Sequence, residues 1–244
     1  MKRLLRWTLA AAAVGFAAAA YLYLSLPDVR PLRKENPRTT AFMALRAREA
    51  DQAGKKPRRV QHWVAYERIS PSLKRAVIVA EDAAFFSHEG VDLDELEKSF
   101  EDSWKQGKRM RGGSTITQQL AKNLYLSPSR NPVRKVEELL IARRLEAELS
   151  KRRILELYLN VIEWGDGIWG AEAAARAYFQ KPASALDADE SALLAASIIN
   201  PRRYSPARPS KFLLRRQDLI RQRMGNVEPP APIAGVAGVP GGLP

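Results

Sequence analysis

Hydrophobic positions recur with a helical period along most of this chain. After Ser70, apolar side chains return every three or four residues, which predicts an amphipathic helix capped by that serine. These positions are Leu73, Ala76, Val77, Ala80 and Ala84. The same spacing from Val133 to about Val161 predicts a long helix, and two alanine-rich segments, Ala171–Tyr178 and Ala188–Ile199, predict shorter ones. We find no series of alternating strands and no internal repeat, so the predicted fold class is mainly α.

The longest apolar run lies at the N-terminus. Residues 7–26 carry no charge, and about 20 such residues are the length that crosses a bilayer as a helix. Lys2, Arg3 and Arg6 precede the run, so the positive-inside rule places residues 1–6 in the cytoplasm and the rest of the chain beyond the membrane. A cleavable signal peptide with a site near Ala17–Ala19 is the alternative. The run is longer than a usual signal-peptide core, which favours an uncleaved signal anchor.

The composition changes again on both sides of the central region. Residues 27–57 are polar, basic and interrupted by prolines, which predicts a juxtamembrane connector with one short helix at Thr40–Gln52. Basic side chains in this position suit anionic lipid headgroups. Residues 58–225 are predicted to form one compact domain. Residues 226–244 are rich in Pro, Gly, Ala and Val, which predicts a disordered tail.

Charge and cysteine content narrow the chemistry. The 244 residues carry a formal net charge of +13, which indicates either polyanionic partners or simply a solvated basic surface. Cysteine is absent, so a disulfide framework and a thiolate metal site are both excluded. Only His62 and His88 are present, which argues against a multi-histidine zinc site.

A carboxylate in an apolar setting is the first candidate for chemistry. Glu81 falls between Ile78 and Phe85 on one predicted helical face, where desolvation would raise its pKa and suit it to general acid or base work. The alternative is that Glu81 and Asp82 are surface acids at a helix end. His88 follows on a predicted turn and, taken alone, is better explained as a structural hydrogen-bonding group.

The second candidate is a run of hydroxyl and amide side chains after paired glycines at Gly112–Asn123. Ser114 is placed to cap the helix that follows, and a helix N-terminus after glycines is suited to binding an anion. Four cations lie within a short span, as a diphosphate would require. They are Lys122, Arg130, Arg134 and Lys135. The alternative is a capped surface helix followed by a basic loop.

Glu138 allows two interpretations. It lies four residues after Arg134, which predicts an ion pair on the helix surface. It also shares a stripe with Ala142, Leu145 and Leu149, which predicts an inward-facing carboxylate that pairs functionally with Glu81.

A glycine pattern further along the chain suggests a nucleotide site that we reject. Gly165–Gly170 matches G-x-G-x-x-G, but no strand is predicted before it and no βαβ unit surrounds it. We interpret the segment as a turn between helices, with Trp164 and Trp169 packed nearby.

Five ordered motifs resemble those of the peptidoglycan glycosyltransferases of glycosyltransferase family 51, over about Arg58 to Pro206. The first, E-D-x-x-F-x-x-H-x-G, begins at Glu81, and the second, G-x-S-T-I-T-Q-Q-L-x-K-N, begins at Gly112. The remaining three fall at Arg134–Glu138, Lys151–Asn160 and Asn200–Pro206.

The resemblance implies a lysozyme-like, two-lobed helical domain that polymerises lipid II into glycan strands, with inversion at the anomeric carbon. It implies that Glu81 is the general base that deprotonates the 4-hydroxyl of the incoming lipid II. Glu138 would orient the donor phosphate or a divalent cation such as magnesium or manganese, and no organic cofactor is implied. The implied substrate-binding residues are Asp82, Phe85, His88, Ser114, Thr115, Gln118, Gln119, Lys122, Asn123, Arg130, Arg134 and Lys135.

The resemblance also implies a place in the cell. It indicates a single-pass protein of the bacterial inner (cytoplasmic) membrane, with its catalytic domain on the periplasmic side. Its partners would be lipid II, the nascent glycan strand, membrane lipids and other cell-wall synthesis proteins. Neither S-x-x-K nor K-[ST]-G occurs in the sequence, so we expect no transpeptidase activity.

Two rival functions stay open from the residues alone. A lytic muramidase-like enzyme also needs acidic residues in a helical cleft, but it needs neither an anchor nor diphosphate-binding cations. A non-catalytic, membrane-anchored glycan-binding protein would leave the placement of Glu81 and Glu138 unexplained. Nucleic acid is not an expected partner, because the basic domain is predicted to lie beyond the membrane and matches no nucleic-acid-binding motif.

Overall fold

The structure is a computed structural model that describes residues 2–92, 97, 113–129 and 131–226. Helices dominate this part of the chain, as predicted. In chain order they are α1 (Lys2–Leu24), α2 (Ala41–Gln52), α3 (Pro71–Glu81), α4 (Ile116–Tyr125), α5 (Pro132–Glu148), α6 (Lys151–Val161), α7 (Ala171–Phe179), α8 (Ala188–Ser197) and α9 (Lys211–Arg223). Short 3₁₀ turns lie at Arg30–Arg33, Tyr66–Arg68, Ala183–Ala185 and Met224–Asn226.

The predicted caps explain where several helices begin. Thr40 accepts a hydrogen bond from the Met43 amide at the start of α2, and Ser70 accepts one from the Ser72 amide at the start of α3. Asp187 and Glu190 form a reciprocal capping box that opens α8. That helix ends at Ser197, two residues before the predicted end.

One prediction about the helices is wrong. The apolar pattern between Val133 and Val161 predicted a continuous helix, but α5 ends at Glu148 and α6 begins at Lys151. Leu149 turns to an extended backbone conformation and buries its side chain. The Ser150 hydroxyl then accepts a hydrogen bond from the Arg153 amide and caps α6. Four polar residues, Ser150 to Arg153, interrupt the apolar spacing at this point, and the prediction overlooked them.

The core is built around two helix groups. α3 packs against α8 and α9, while α4 packs against α5 and α6. The interior is apolar and includes fully buried side chains such as Leu73, Ile78, Leu120, Leu145 and Tyr158. The C-terminal end of α3 and the N-terminal end of α4 carry the first two motifs, so the two groups meet at the residues of interest.

A small three-stranded sheet lies beside the helices, in the order β1 (Val60–Gln61), β3 (Ile168–Trp169) and β2 (Glu163–Gly165). β1 is parallel to β3, and β2 is antiparallel to it. The glycine pattern at Gly165–Gly170 is therefore a hairpin between strands, and our interpretation of a turn between helices is wrong. A strand does precede the pattern, but β2 and β3 form a hairpin rather than a βαβ unit.

The predicted connector is not separate from the domain. Leu26, Val29 and Leu32 are buried in the main hydrophobic core. Arg153 on α6 donates hydrogen bonds to the carbonyls of Leu32 and Glu35. The compact region therefore begins near Leu26, and the boundary predicted at residue 58 is wrong.

α1 is long and apolar enough to cross a membrane. Its candidate span covers Arg3–Leu24, 22 residues with a mean hydropathy of 1.6, and none of the most apolar window is buried against the protein. The span ends two residues before the predicted boundary, because Leu26 belongs to the core. Of the predicted tail at 226–244, residues 227–244 lie outside the described residues.

Candidate active site

Glu81 is the last residue of α3, and its carboxylate is largely enclosed, with 13% of the side chain exposed. The helix ends because Asp82 adopts an extended φ of −167°. Phe85 therefore lies on the following turn and not on the same helical face, which corrects part of the prediction. Burial nevertheless raises the pKa of the Glu81 carboxyl, as predicted, against opposing effects from Gln119, Arg216 and Lys122.

Gln119 on α4 holds this carboxylate in place. Its Nε2 donates to Glu81 Oε2 at 2.9 Å, and its Oε1 accepts a hydrogen bond from the Tyr158 hydroxyl at 2.9 Å. Burial raises the pKa of Tyr158 well above its ordinary value, so this hydroxyl keeps its proton and acts as a donor. The two contacts fix which end of the Gln119 amide faces Glu81. Sequence reasoning had assigned Tyr158 no part in the site.

Arg216 on α9 also reaches Glu81, and sequence reasoning missed it. Its Nη2 lies 3.5 Å from Glu81 Oε1 and 3.5 Å from the Ala80 carbonyl oxygen. The charge of Arg216 lowers the pKa of Glu81, against the effect of burial. Nothing in the local sequence could have revealed the contact, because the two residues are 135 positions apart.

Asp82 joins the two motif segments. Its Oδ2 accepts a hydrogen bond from the Ile116 amide at 2.9 Å, and its Oδ1 lies 2.9 Å from His88 Nε2. His88 Nδ1 accepts from the Gly90 amide, so Nε2 carries the proton that points to Asp82. Asp82 is only 2% exposed, which gives its side chain a supporting position rather than a surface that a substrate touches. His88 is the structural hydrogen-bonding group that the sequence favoured.

The start of α4 differs from the prediction. Thr115, and not Ser114, is its cap, because the Thr115 hydroxyl accepts a hydrogen bond from the Gln118 amide. The Ile116 amide is taken by Asp82. Two of the amides expected to face an anion are thus already used, so the anion-binding interpretation of this helix N-terminus is not supported. Ser114 instead lies 3.3 Å from Lys135 Nζ.

Cations surround Glu138 on α5. The carboxylate is 3% exposed, and its two oxygens pair with Arg134, at 2.6 Å, and with Lys135. The predicted ion pair with Arg134 is present, but it is buried and not on the helix surface, because Glu138 faces inward. A functional pairing of Glu138 with Glu81 stays a prediction. The Lys135 ammonium further donates to Gln118 Oε1 at 3.0 Å. Arg130 lies outside the described residues.

Lys122 connects the two carboxylates electrostatically. Burial lowers the pKa of its ammonium group, while Glu138 and Glu81 act in the opposite direction. Its Nζ also lies 5.9 Å from the centre of the Phe42 ring on α2. A partly desolvated ammonium influenced by both glutamates is suited to binding an anionic group.

The remaining predicted residues line the interior of this region. Phe85 has no exposed surface, Gln118 is 1% exposed and Thr115 is 3% exposed. Gln118 and Thr115 both donate to the Gly90 carbonyl oxygen, and Asn123 donates to the carbonyl of Gln119. These side chains shape the site from behind rather than from its surface.

A divalent cation does not fit Glu138 as the residues stand. Both carboxylate oxygens already pair with positive charges, which would repel a metal ion. Asp82, His88 and Asp92 also have ligand atoms within 4.8 Å of one another. However, the carboxylate oxygens of Asp82 and both ring nitrogens of His88 are engaged in hydrogen bonds. Neither group presents a free set of metal ligands.

The site thus places a largely buried carboxylate near clustered cations on a mostly helical domain. The chain belongs to the transglycosylase family, because the family model matches residues 48–225. The match confirms the lysozyme-like helical fold that the resemblance implied.

Individual relatives extend this agreement over most of the chain. It is 51% identical over 197 residues to the biosynthetic peptidoglycan transglycosylase of Methylobacillus flagellatus, covering 81% of this chain and 86% of that protein. It is 48% identical over 232 residues to the protein of the same name from an Azoarcus species, covering 94% of this chain and all of that protein. The corresponding Laribacter hongkongensis protein is 50% identical over 195 residues, 80% of this chain and 86% of its own length.

Proposed function

We propose that Glu81 is the general base of this protein in the polymerisation of lipid II into linear glycan strands. The protein is a peptidoglycan glycosyltransferase, as its family and its relatives show. The observation that carries the assignment of Glu81 is its enclosed carboxylate, held by Gln119 at 2.9 Å and approached by cations. This arrangement supports one proton acceptor beside a binding site for diphosphate.

The residues suggest the following reaction. Glu81 removes the proton from the 4-hydroxyl of the incoming lipid II as that oxygen attacks the anomeric carbon of the lipid-linked donor. A new glycosidic bond forms with inversion while the bond to the lipid diphosphate breaks. Lys122, Arg134 and Lys135 bind the negative charge on the departing diphosphate. Glu138 orients Arg134 and Lys135, and it takes no proton in this scheme.

The cation cluster favours this function over a lytic one. A muramidase cleaves a neutral glycosidic bond and releases a sugar hydroxyl, so it needs no diphosphate-binding group. In this protein the desolvated ammonium of Lys122 is influenced by both Glu81 and Glu138. Keeping a cation partly buried costs free energy, which is better explained where a phosphate must bind.

The setting of the enzyme belongs to the same proposal. α1 would anchor the protein in the bacterial inner membrane, with the catalytic domain on the periplasmic side, where lipid II and the nascent strand are held. The 22-residue apolar span supports the anchor. Lys2, Arg3 and Arg6 lie at its N-terminal end, which supports this orientation. Membrane lipids and other cell-wall synthesis proteins are the further partners that we propose.

The dependence of activity on a divalent metal ion needs its own test. The family resemblance implies a divalent cation such as magnesium or manganese at Glu138, but the pairing of Glu138 with Arg134 and Lys135 argues against a site there. We therefore expect lipid II polymerisation to continue at an unchanged rate after treatment with EDTA. Loss of activity that returns with added magnesium or manganese would contradict this expectation.

The decisive experiment is polymerisation of purified lipid II in detergent by three proteins: the unaltered chain, Glu81→Gln and the matched control Glu89→Gln. Glu89 is an exposed acid of the same segment. We expect long strands from the unaltered chain and the control, and a loss of at least about 100-fold in Glu81→Gln, since general bases contribute that much. Shortening of preformed glycan without use of lipid II would support the lytic alternative, and no change to either substrate would support a binding role.

A further inference from the structure

A second charged cleft lies apart from Glu81, between the end of α2 and the β2–β3 hairpin. It has a volume of about 180 Å³ and is lined by five cations, namely Arg46, Lys55, Lys56, Arg58 and Arg202. Among the residues that the structure describes, only two carboxylates, Glu49 and Asp166, share its walls. Positive charge therefore exceeds negative charge at this cleft.

The two carboxylates are already used by the arginines. Glu49 accepts from Arg46 at 2.9 Å and from Arg202 at 3.2 Å, while Asp166 lies 3.4 Å from Arg202. Arg46 also pairs with the buried Glu163 at 2.9 Å. The other three cations, on the segment after α2, form no ion pair with any residue in the described ranges. A ligand that supplies carboxylates would complete the charge balance of the cleft.

Helix α2 links this cleft to the diphosphate-binding residues. Near its N-terminus, the Phe42 ring contacts Lys122 of the active site, whereas Ala50 near its other end lines the cleft. Eight residues separate Phe42 from Ala50, and an α-helix rises 1.5 Å per residue, so the two points lie roughly 12 Å apart along the axis. The cleft is thus within reach of a substituent on a substrate bound at Lys122.

The cleft is also remote from the point where α1 joins the domain. The chain that leaves α1 is held by Arg153, in the first turn of α6, whereas Arg46 of the cleft pairs with Glu163, just beyond the last turn of α6. At least about 12 Å of helix separates these points. The cleft is therefore formed away from the residues that hold the chain leaving α1, and its ligand need not be a lipid headgroup.

We infer that this cleft binds the free carboxylates of the short peptide that lipid II carries on its diphosphate-bearing sugar. The inference rests on the proposed function, because it takes lipid II as the substrate. An extended peptide of five residues spans at most about 16–18 Å, which exceeds the roughly 12 Å between Phe42 and Ala50 along α2, so its length allows its acidic groups to approach the cleft when the diphosphate lies at Lys122. The cleft then selects precursors with an acidic peptide and contributes to binding rather than to the chemical step.

Steady-state kinetics with two substrates test the inference. The substrates are lipid II with its acidic peptide and lipid II in which the peptide carboxylates are amidated. The cleft variant is Lys55→Gln/Lys56→Gln/Arg58→Gln. The matched control is Arg208→Gln/Lys211→Gln/Arg223→Gln, which removes the same charge from exposed positions elsewhere.

We expect the cleft variant to raise KM for acidic lipid II by about tenfold with kcat unchanged, as three partly exposed ion pairs would allow. It should leave KM for the amidated substrate as it is in the unaltered chain, and the control should match the unaltered chain throughout. Equal KM values for the two triple variants, or an equal loss with both substrates, would overturn the inference. A KM difference found only in anionic lipid nanodiscs would instead assign the cleft to the membrane surface.

Binding of a soluble muramyl peptide, without lipid or diphosphate, separates this inference from the proposed function. We expect the unaltered chain and the control to bind it and the cleft variant to lose that binding, whether or not lipid II is polymerised. If the unaltered chain binds the peptide but does not polymerise lipid II, the proposed reaction is wrong and the assignment of the cleft to peptide binding stands. Polymerisation with no peptide binding by the unaltered chain would overturn the cleft alone.

Discussion

In the proposed reaction Glu81 must be ionised to accept a proton, yet it lies where burial favours the neutral form. Burial raises its pKa, while the hydrogen bond from Gln119 and the charges of Arg216 and Lys122 lower it. The opposite holds at Lys122, where burial lowers the pKa of an ammonium that has to stay charged to bind phosphate. The working pH range of the enzyme is therefore set by how these neighbours offset desolvation.

The sign of each shift predicts the shape of the pH profile. Activity should rise with pH as Glu81 loses its proton, at a pKa above the ordinary 4.5, and fall as Lys122 loses its charge, at a pKa below the ordinary 10.5. Gln119→Ala removes a donor that stabilises the Glu81 carboxylate. The rising limb of kcat/KM should therefore move to higher pH.

Tyr158→Phe serves as the companion variant in the same measurement. It leaves Gln119 present but removes the hydroxyl that orients the amide. We expect a smaller shift of the rising limb in the same direction. If the rising limb lies at the same pH in all three proteins, the hydrogen bonds from Tyr158 to Gln119 and from Gln119 to Glu81 do not affect the pKa of Glu81.

At the scale of secondary-structure elements, one side chain holds the end of α3 against the start of α4. Asp82 accepts from the Ile116 amide in a buried bond and from His88 in a partly buried one. Because Glu81 is the neighbouring residue and Gln119 lies one turn into α4, the position of these two helices determines the geometry of the base. Asp82 thus affects the proposed reaction indirectly, by fixing the positions of α3 and α4.

Removing that carboxylate should loosen the junction. We expect Asp82→Ala to lower the free energy of unfolding by about 2–4 kcal/mol, because one buried and one partly buried bond to a carboxylate acceptor are lost and their donors are left unpaired. Polymerisation should fall as well. Asp218→Ala, an exposed acid on α9, is the control and should change stability by less than about 0.5 kcal/mol. A stable but inactive Asp82→Ala protein would point instead to a direct part in substrate binding.

The elements show what local sequence can and cannot predict. Caps and apolar spacing predicted α2, α3 and α8, because these signals act within a few residues. The choice of Thr115 over Ser114 as cap depends on Asp82, a residue more than 30 positions away, which takes the neighbouring amide. The small sheet was not predicted, since β1 pairs with β3 across more than 100 positions.

For the whole molecule, the packing of the segment after α1 has the largest consequence. Its composition is polar and rich in proline, which suggested a linker, but its few apolar side chains are buried in the core. Arg153 and Arg144 fix its backbone carbonyls, including those of Leu26 and Leu32. If α1 anchors the protein as proposed, this packing would hold the catalytic domain at a set distance from the bilayer instead of tethering it loosely.

Two shortened chains test this arrangement. Removal of residues 2–24 takes away only α1, whose apolar side chains are largely exposed, so the rest of the chain should keep its melting temperature. Removal of residues 2–33 also deletes Leu26, Val29 and Leu32 from the core, and each buried apolar side chain is worth roughly 1.5–3 kcal/mol. The longer deletion should therefore unfold at a clearly lower temperature, by more than about 10 °C.

Single substitutions in the full chain distinguish the effect of lost core packing on stability from the effect of shortening the chain. Leu32→Ala, at 6% exposure, should cost about 2–5 kcal/mol in unfolding free energy. Leu24→Ala, at 79% exposure, should cost less than about 0.5 kcal/mol, because its side chain contributes little to the folded core. Both quantities are measured by denaturant unfolding in the same detergent. Equal stability of the two variants, together with equal melting of the two shortened chains, would return the start of the domain to Arg58 and make the intervening segment a flexible linker.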